Sequence, residues 1–157
     1  MSLPLEILEA TTPEQIDHVR FLIRDYQALL PVPIRFPDQE WLDLPGQYSA
    51  PQGALLLATI DGQPAGCVGL RPFPLAGACE MKRLYVRPAF RGDKLGSALV
   101  ERVINVARRI GYRRLRLDTH PHTMHAAVEL YRRFGFQEVS AKPIHHVEGL
   151  SYLELRL

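Results

Sequence analysis

The sequence predicts an α+β domain of mixed α/β type: one central, mostly antiparallel sheet of about six to seven strands with helices on both faces. Three observations carry this. Ala54–Ile60 and residues 64–71 are apolar runs joined by Asp61-Gly62, a tight-turn pair that argues for a hairpin. Residues 79–86 and 113–118 alternate like strands and flank Leu95–Ile110, which has helical periodicity, giving a strand-helix-strand order. The chain has 157 residues, enough for one domain over residues 1–157 with a real core and little room for a second.

Each element has a local reason. Residues 3–9 (LPLEILE) alternate enough to be a first strand. Thr12 is a good N-cap, Pro13 suits the first helical position, and Gln15 completes a capping box. Ile16, Val19, Leu22, Ile23, Tyr26 and Leu30 follow at helical spacing, and Pro31 and Pro33 stop that helix. Residues 33–51 are rich in Pro and acidic side chains and read as loop with one short helix around 38–42. Arg87-Pro88 ends the strand at 79–86. Leu95, Leu99, Val103, Val106 and Ile110 form one apolar stripe, with Arg102, Arg108 and Arg109 mostly off it, and Gly111 is a good C-cap. Residues 123–134 read as a helix ending at Gly135, and 136–140 and 151–157 as closing strands.

Composition narrows the function classes. Hydrophobic residues are 46% and charged residues 23%, which excludes disordered and collagen-like chains. The longest apolar run is far short of the ~20 residues that span a bilayer, so no membrane partner is expected. The net charge of +2 is weak evidence about partners, and the 16 Arg against 3 Lys does not by itself imply nucleic acid. Alternation puts Arg114 and Arg116 opposite Leu115 and Leu117, which reads as an ordinary solvated face. Cys67 and Cys79 lie apart in apolar stretches, as buried thiols of a cytoplasmic protein would. Residues 1–4 have neither a basic region nor a long apolar run, so no signal peptide is expected.

The most informative segment runs from Leu84 to Ser97. A strand ends, a turn carrying Gly92 follows, and a long helix starts just before Gly96. The first amides of a helix lack internal partners and point outward at the positive end of its dipole. Glycine lets a ligand approach the backbone closely, and Arg91 and Lys94 add positive charge. A phosphate or pyrophosphate is the implied ligand. Neither the P-loop nor the Rossmann glycine spacing is present.

Arg91-Gly92-Asp93-Lys94-Leu95-Gly96, after a strand reading Glu80-Met81-Lys82-Arg83-Leu84-Tyr85-Val86, resembles the acetyl-CoA loop of the GNAT N-acetyltransferase superfamily, Gln/Arg-x-x-Gly-x-Gly/Ala. Arg91 and Gly96 match its outer positions, and Lys94 replaces its first glycine. Ala127-Val128-Glu129-Leu130-Tyr131-Arg132-Arg133-Phe134-Gly135-Phe136 is similar to the family's Ala-x-x-Leu-Tyr-x-x-x-Gly-Phe signature. The two motifs stand in the family's order, and the resemblance covers roughly residues 5–157.

The resemblance implies a use of acetyl-CoA, without a metal, to acetylate an amine of a small molecule or peptide. Leu84, Tyr85 and Val86 would pair their backbone with the pantetheine arm. The pyrophosphate would lie on Arg91, Gly92, Asp93, Lys94, Leu95, Gly96 and Ser97, with the Ser97 hydroxyl as an added contact. Tyr131 would be the general acid, since a phenol can protonate a departing thiolate; the plainer reading of Tyr131 is a core side chain. Glu80 is the candidate general base, with water and Asp118 as rivals. Met124 stands where the family often has an asparagine. A catalytically silent CoA-binding sensor is the alternative function.

The remaining features are less specific. His120, His122 and His125 crowd one segment, but without a carboxylate- or Cys-rich companion they read as a polar loop or an acceptor-pocket lining, not a metal site. The acceptor pocket is expected from residues 25–47 and 141–150. Within it Asp38, Glu40 and Asp43 beside Trp41 read first as a solvated acidic loop, although such a group also suits a cationic amine. Residues 151–157 are expected to form an exposed edge or a homodimer contact.

Overall fold

The computed structural model describes residues 4–29, 37–92, 94–119, 125–139 and 150–157. Its elements follow the chain as β1 (Leu5–Glu9), α1 (Pro13–Leu29), α2 (Asp38–Asp43), β2 (Ala54–Ile60), β3 (Gln63–Pro72), β4 (Ala78–Val86), a 3-10 turn (Pro88–Phe90), α3 (Leu95–Ile110), β5 (Arg114–Thr119), α4 (His125–Arg133), β6 (Gln137–Val139) and β7 (Ser151–Arg156). One seven-stranded sheet has the order β1-β2-β3-β4-β5-β7-β6. Its pairings are antiparallel except β4 with β5, which is parallel. The α+β architecture and the mixed sheet are as the sequence predicts.

The sheet is covered on both faces, and β2 shows how. Its seven residues are all buried. Ala54, Leu56, Ala58 and Ile60 join the cluster under α3, whereas Leu55 and Leu57 join the cluster under α1. A strand buried on both faces loses polar alternation and reads as one apolar run. The stripe of α3 fills the first cluster with Leu95, Leu99, Val100, Val103 and Ile104. Ile16, Val19, Leu22 and Ile23 of α1 fill the second.

The two helix starts differ. At α1, the Gln15 amide donates to Thr12 Oγ1 at 3.2 Å, while Gln15 Oε1 accepts from the amides of Thr11 and Thr12 at 3.0 and 3.1 Å. That is the predicted capping box. At α3 the residue before the helix is Lys94, in the left-handed region with φ of 62° and no side-chain cap. The other end of α3 closes on Gly111 at φ of 108°, whose amide reaches the carbonyls of Ala107 and Arg108.

Two expectations are corrected here. β7 is not an edge: it lies between β5 and β6, pairing Arg114 to Arg156 through Thr119 to Ser151 on one side and Gln137 to Glu154 through Val139 to Tyr152 on the other. The edges are β1 and β6. Arg116 is not on a solvated face either. It is 7% exposed, with its guanidinium 3.6 Å from Glu154 Oε2 and stacked 4.9 Å over the Phe73 ring. A charge so buried requires a partner, and this one comes from a strand distant in sequence.

Candidate active site

The sheet opens in its middle. β4 pairs with β5 only at Ala78–Arg114, Cys79–Leu115 and Glu80–Arg116. β5 continues against β7 as far as Thr119, and β4 continues against β3 as far as Val86. Beyond Glu80 the edge of β4 that faces β5 has no ladder partner among the described residues. A bulge aids the divergence. The register against β3 shifts between Cys67 and Gly69, and Arg83 takes φ of 62°; such a bulge twists the strand locally. Leu84, Tyr85 and Val86 lie on this open length. Leu84 and Val86 turn their side chains into the core under α3, and Tyr85 turns to the other face, where its hydroxyl donates to Asp25.

The open edge ends at the turn into α3. Six strand steps from Glu80 to Val86 span about 20 Å. Arg91 is exposed, donates from Nε to the Val86 carbonyl at 2.9 Å, and stacks 5.9 Å over Tyr85. Gly92 sits at φ of 94°, with open space where a Cβ would stand. Lys94 adopts a left-handed backbone, which glycine takes more easily. The first internal hydrogen bond of α3 runs from the Ala98 amide to the Lys94 carbonyl. Among the described residues the amides of Leu95, Gly96 and Ser97 have no partner within the helix and are able to serve an outside acceptor. The Leu95 side chain is 2% exposed and belongs to the core, so its backbone alone is available. An anionic head on the turn and an extended arm along β4 fit these groups. Asp93 lies outside the described residues.

Tyr131, on α4, is a buried side chain of the core under α3. It packs against Phe136 with ring centroids 5.7 Å apart. Burial pushes its phenol above the ordinary value of 10.0, and Tyr26 and Asp118 add to the rise. Tyr26 stands on α1, on the opposite face of the sheet. Burial raises the Tyr26 phenol too, and the Arg83 charge opposes that rise. Lys82 on β4 and Asp118 on β5 close to 3.2 Å across the gap. Tyr26 reads in the sequence as one more residue of an apolar stripe, and only its hydroxyl distinguishes it from its neighbours there.

Glu80 lies where the ladder stops, on the face of α1 and α2. Arg71 Nε donates to its Oε1 at 2.6 Å. The same guanidinium donates from Nη1 to Glu40 Oε1 at 2.9 Å and to the Tyr48 hydroxyl at 3.3 Å. Glu40 Oε2 accepts from Arg83 Nη2 at 3.2 Å. Glu40 therefore departs from the solvated-loop reading, which describes the exposed Asp38 and Asp43. It pins α2 to the centre of the sheet through residues far along the chain, and nothing local in the sequence marks it. Trp41 is half-buried, with Arg24 stacked 4.8 Å over its ring.

The two thiols take no part in this geometry. Both are fully buried. Cys67 donates to the Arg83 carbonyl and Cys79 to that of Arg114, each at 3.4 Å. Burial pushes both up to about 12, a poor starting point for a thiolate nucleophile. His120, His122, Met124 and the acceptor stretch 141–149 lie outside the described residues, as does the side chain of His125.

A mixed sheet split beside its central parallel pair, with an uncapped helix start at the head of the split, defines the acyl-transferring class that the motifs resemble. The model for the acetyltransferase (GNAT) family matches residues 19–136, and the chain belongs to that family of acyltransferases. It is 35% identical to an uncharacterised N-acetyltransferase of Schizosaccharomyces pombe, over 98% of this chain and 95% of the relative. Among solved structures it is similar to a GNAT acetyltransferase of Staphylococcus aureus, with a TM-score of 0.83 and 19% identity over 98% of this chain and 99% of that one. It is also similar to the PaiA N-acetyltransferase of Thermoplasma acidophilum in complex with coenzyme A, with a TM-score of 0.75 and 16% identity over 99% and 100%.

Proposed function

We propose that this protein transfers the acetyl group of acetyl-CoA to the primary amine of a small molecule or peptide, by direct attack with both substrates bound. The observation that carries this is the edge of β4 that has no ladder partner among the described residues, which leads from the start of α3 back to Glu80. The amides of Leu95, Gly96 and Ser97 hold the pyrophosphate at the positive end of the helix dipole. The backbone of Leu84, Tyr85 and Val86 aligns the pantetheine arm. Acetyl-CoA supplies the activated acyl group as a thioester.

Glu80 accepts a proton from the attacking amine, directly or through water, as the C–N bond forms. Tyr131 gives its phenolic proton to the sulfur as the C–S bond breaks. Burial keeps the phenol protonated, so its proton is in place when charge develops on the sulfur. The buried thiols support direct attack over an acetylated cysteine.

Calorimetric titration with acetyl-CoA, with CoA and ATP as controls, tests the binding. Micromolar binding of acetyl-CoA without binding of ATP is expected, and no binding of either CoA species overturns the reading. An amine-panel assay of thiol release with Tyr131→Phe then tests the chemistry. The variant is expected to lose about 10²- to 10⁴-fold in kcat while still binding acetyl-CoA. Binding without turnover on any amine would favour the sensor reading.

A further inference from the structure

A groove of about 460 Å³ opens on the α1 and α2 face, lined by Gln47, Arg71, Pro72, Phe73, Pro74 and Glu80. It begins where the β4–β5 ladder stops, at the far end of the cofactor's path from the turn into α3. Its charged wall is the Arg71–Glu80 pair, beside the amide of Gln47, and that pair is fixed. Arg71 is held through Nε by Glu80 and through Nη1 by Glu40 and Tyr48, with its guanidinium 5.6 Å over the Tyr48 ring. Two of its atoms remain unused. Among the described residues, Arg71 Nη2 and Glu80 Oε2 have no hydrogen-bond partner, and neither is a buried unsatisfied atom. Both residues line the groove, so a charged donor and a charged acceptor that no other described side chain takes up stand at its wall.

We propose that the acceptor is a free α-amino acid with an apolar side chain, its carboxylate on Arg71 Nη2, its amine at Glu80 Oε2, and its side chain along Pro72, Phe73 and Pro74. This rests on the acetyltransferase reading and narrows it. Charge balance favours such a zwitterion. Arg71 and Arg83 offset Glu40 and Glu80 around the groove, so neither a polyanion nor a polycation finds a net opposite field. A monoamine would leave the fixed Nη2 without an anion. A carboxylate on the carbon that bears the amine reaches both atoms at once, and guanidinium geometry suits it. The amine proton then passes to the same carboxylate that holds the amine.

The test compares leucine and phenylalanine with their decarboxylated amines, isopentylamine and phenethylamine, and with leucinamide, following thiol release from acetyl-CoA. The amino acids are expected to exceed the amines and the amide in kcat/KM by at least about tenfold, the factor that one hydrogen bond to a charged group supplies. Arg71→Gln is expected to bring that ratio near unity, through a higher KM for the amino acids. Leucinamide removes the carboxylate from the ligand and so probes the same contact even if the variant misfolds. Equal rates for amino acid, amine and amide would overturn the proposal, as would acetyl-CoA binding without turnover of either amino acid. Loss of acetyl-CoA binding by the wild-type protein would instead overturn the acetyltransferase reading beneath it.

Discussion

The starts of α1 and α3 solve the same problem in opposite ways. Every helix begins with amides that its own turns cannot satisfy. At α1, Thr12 and Gln15 satisfy theirs from within, at 3.0 to 3.2 Å. At α3, Lys94 offers no side-chain cap and holds a left-handed backbone. α3 is nevertheless well anchored, because Leu95, Leu99, Val100 and Val103 are buried behind its open start. A capped start belongs to a helix that only packs. An uncapped start can be kept where packing holds the helix and a ligand completes the amides.

Breaking the packing of α3 should have the largest effect. Leu99→Ala removes a fully buried side chain and is expected to cost about 2–5 kcal/mol in urea denaturation. A loss below about 1 kcal/mol would show that α3 does not depend on its stripe. Sealing the open start is the next test. Lys94→Asp replaces a cation with an anion beside the proposed pyrophosphate, a change of two charge units worth about 2 kcal/mol near water's dielectric. Acetyl-CoA should bind about 30-fold more weakly by calorimetry, and unchanged affinity would remove this turn from the site.

Unsealing α1 is the counterpart. Thr12→Ala should cost about 1 kcal/mol, read as a fall of about 2–4 °C in Tm, with acetyl-CoA affinity unaltered. A matching fall in affinity would erase the distinction between the two helix starts. The smallest effect is expected from Lys94→Gly. Relief of the left-handed backbone should raise stability by about 0.5–1 kcal/mol, and a destabilised variant would show that the lysine stem contributes packing.

Local signals made much of this legible. The capping box, the Asp61-Gly62 turn and the Leu95–Ile110 stripe each act within a few residues, and each appears where its spacing predicts. The motifs around Gly92 and Tyr131 led to the family for the same reason. What stayed hidden depends on partners far along the chain. Arg116 looks solvated until Glu154 is brought beside it by β7. Glu40 looks like part of an acidic loop until Arg71 and Arg83 converge on it. Residues 151–157 alternate like an edge strand because alternation reports which residue faces the core, not how many neighbours a strand has. Tyr26 and Asp118, from other elements, act on the Tyr131 phenol, and no periodicity records such a neighbour.

The place of β7 carries a consequence for synthesis. A ribosome delivers β5 well before β7, with α4 and β6 made in between, yet β7 is the strand that β5 and β6 both pair with. While the later residues are being translated, β5 must present an unsatisfied edge, and β6 has no strand beside it. Such edges invite pairing with other chains. A pause or truncation between residues 139 and 151 should therefore leave nascent protein prone to aggregate, even though α1 to α4 have already been made.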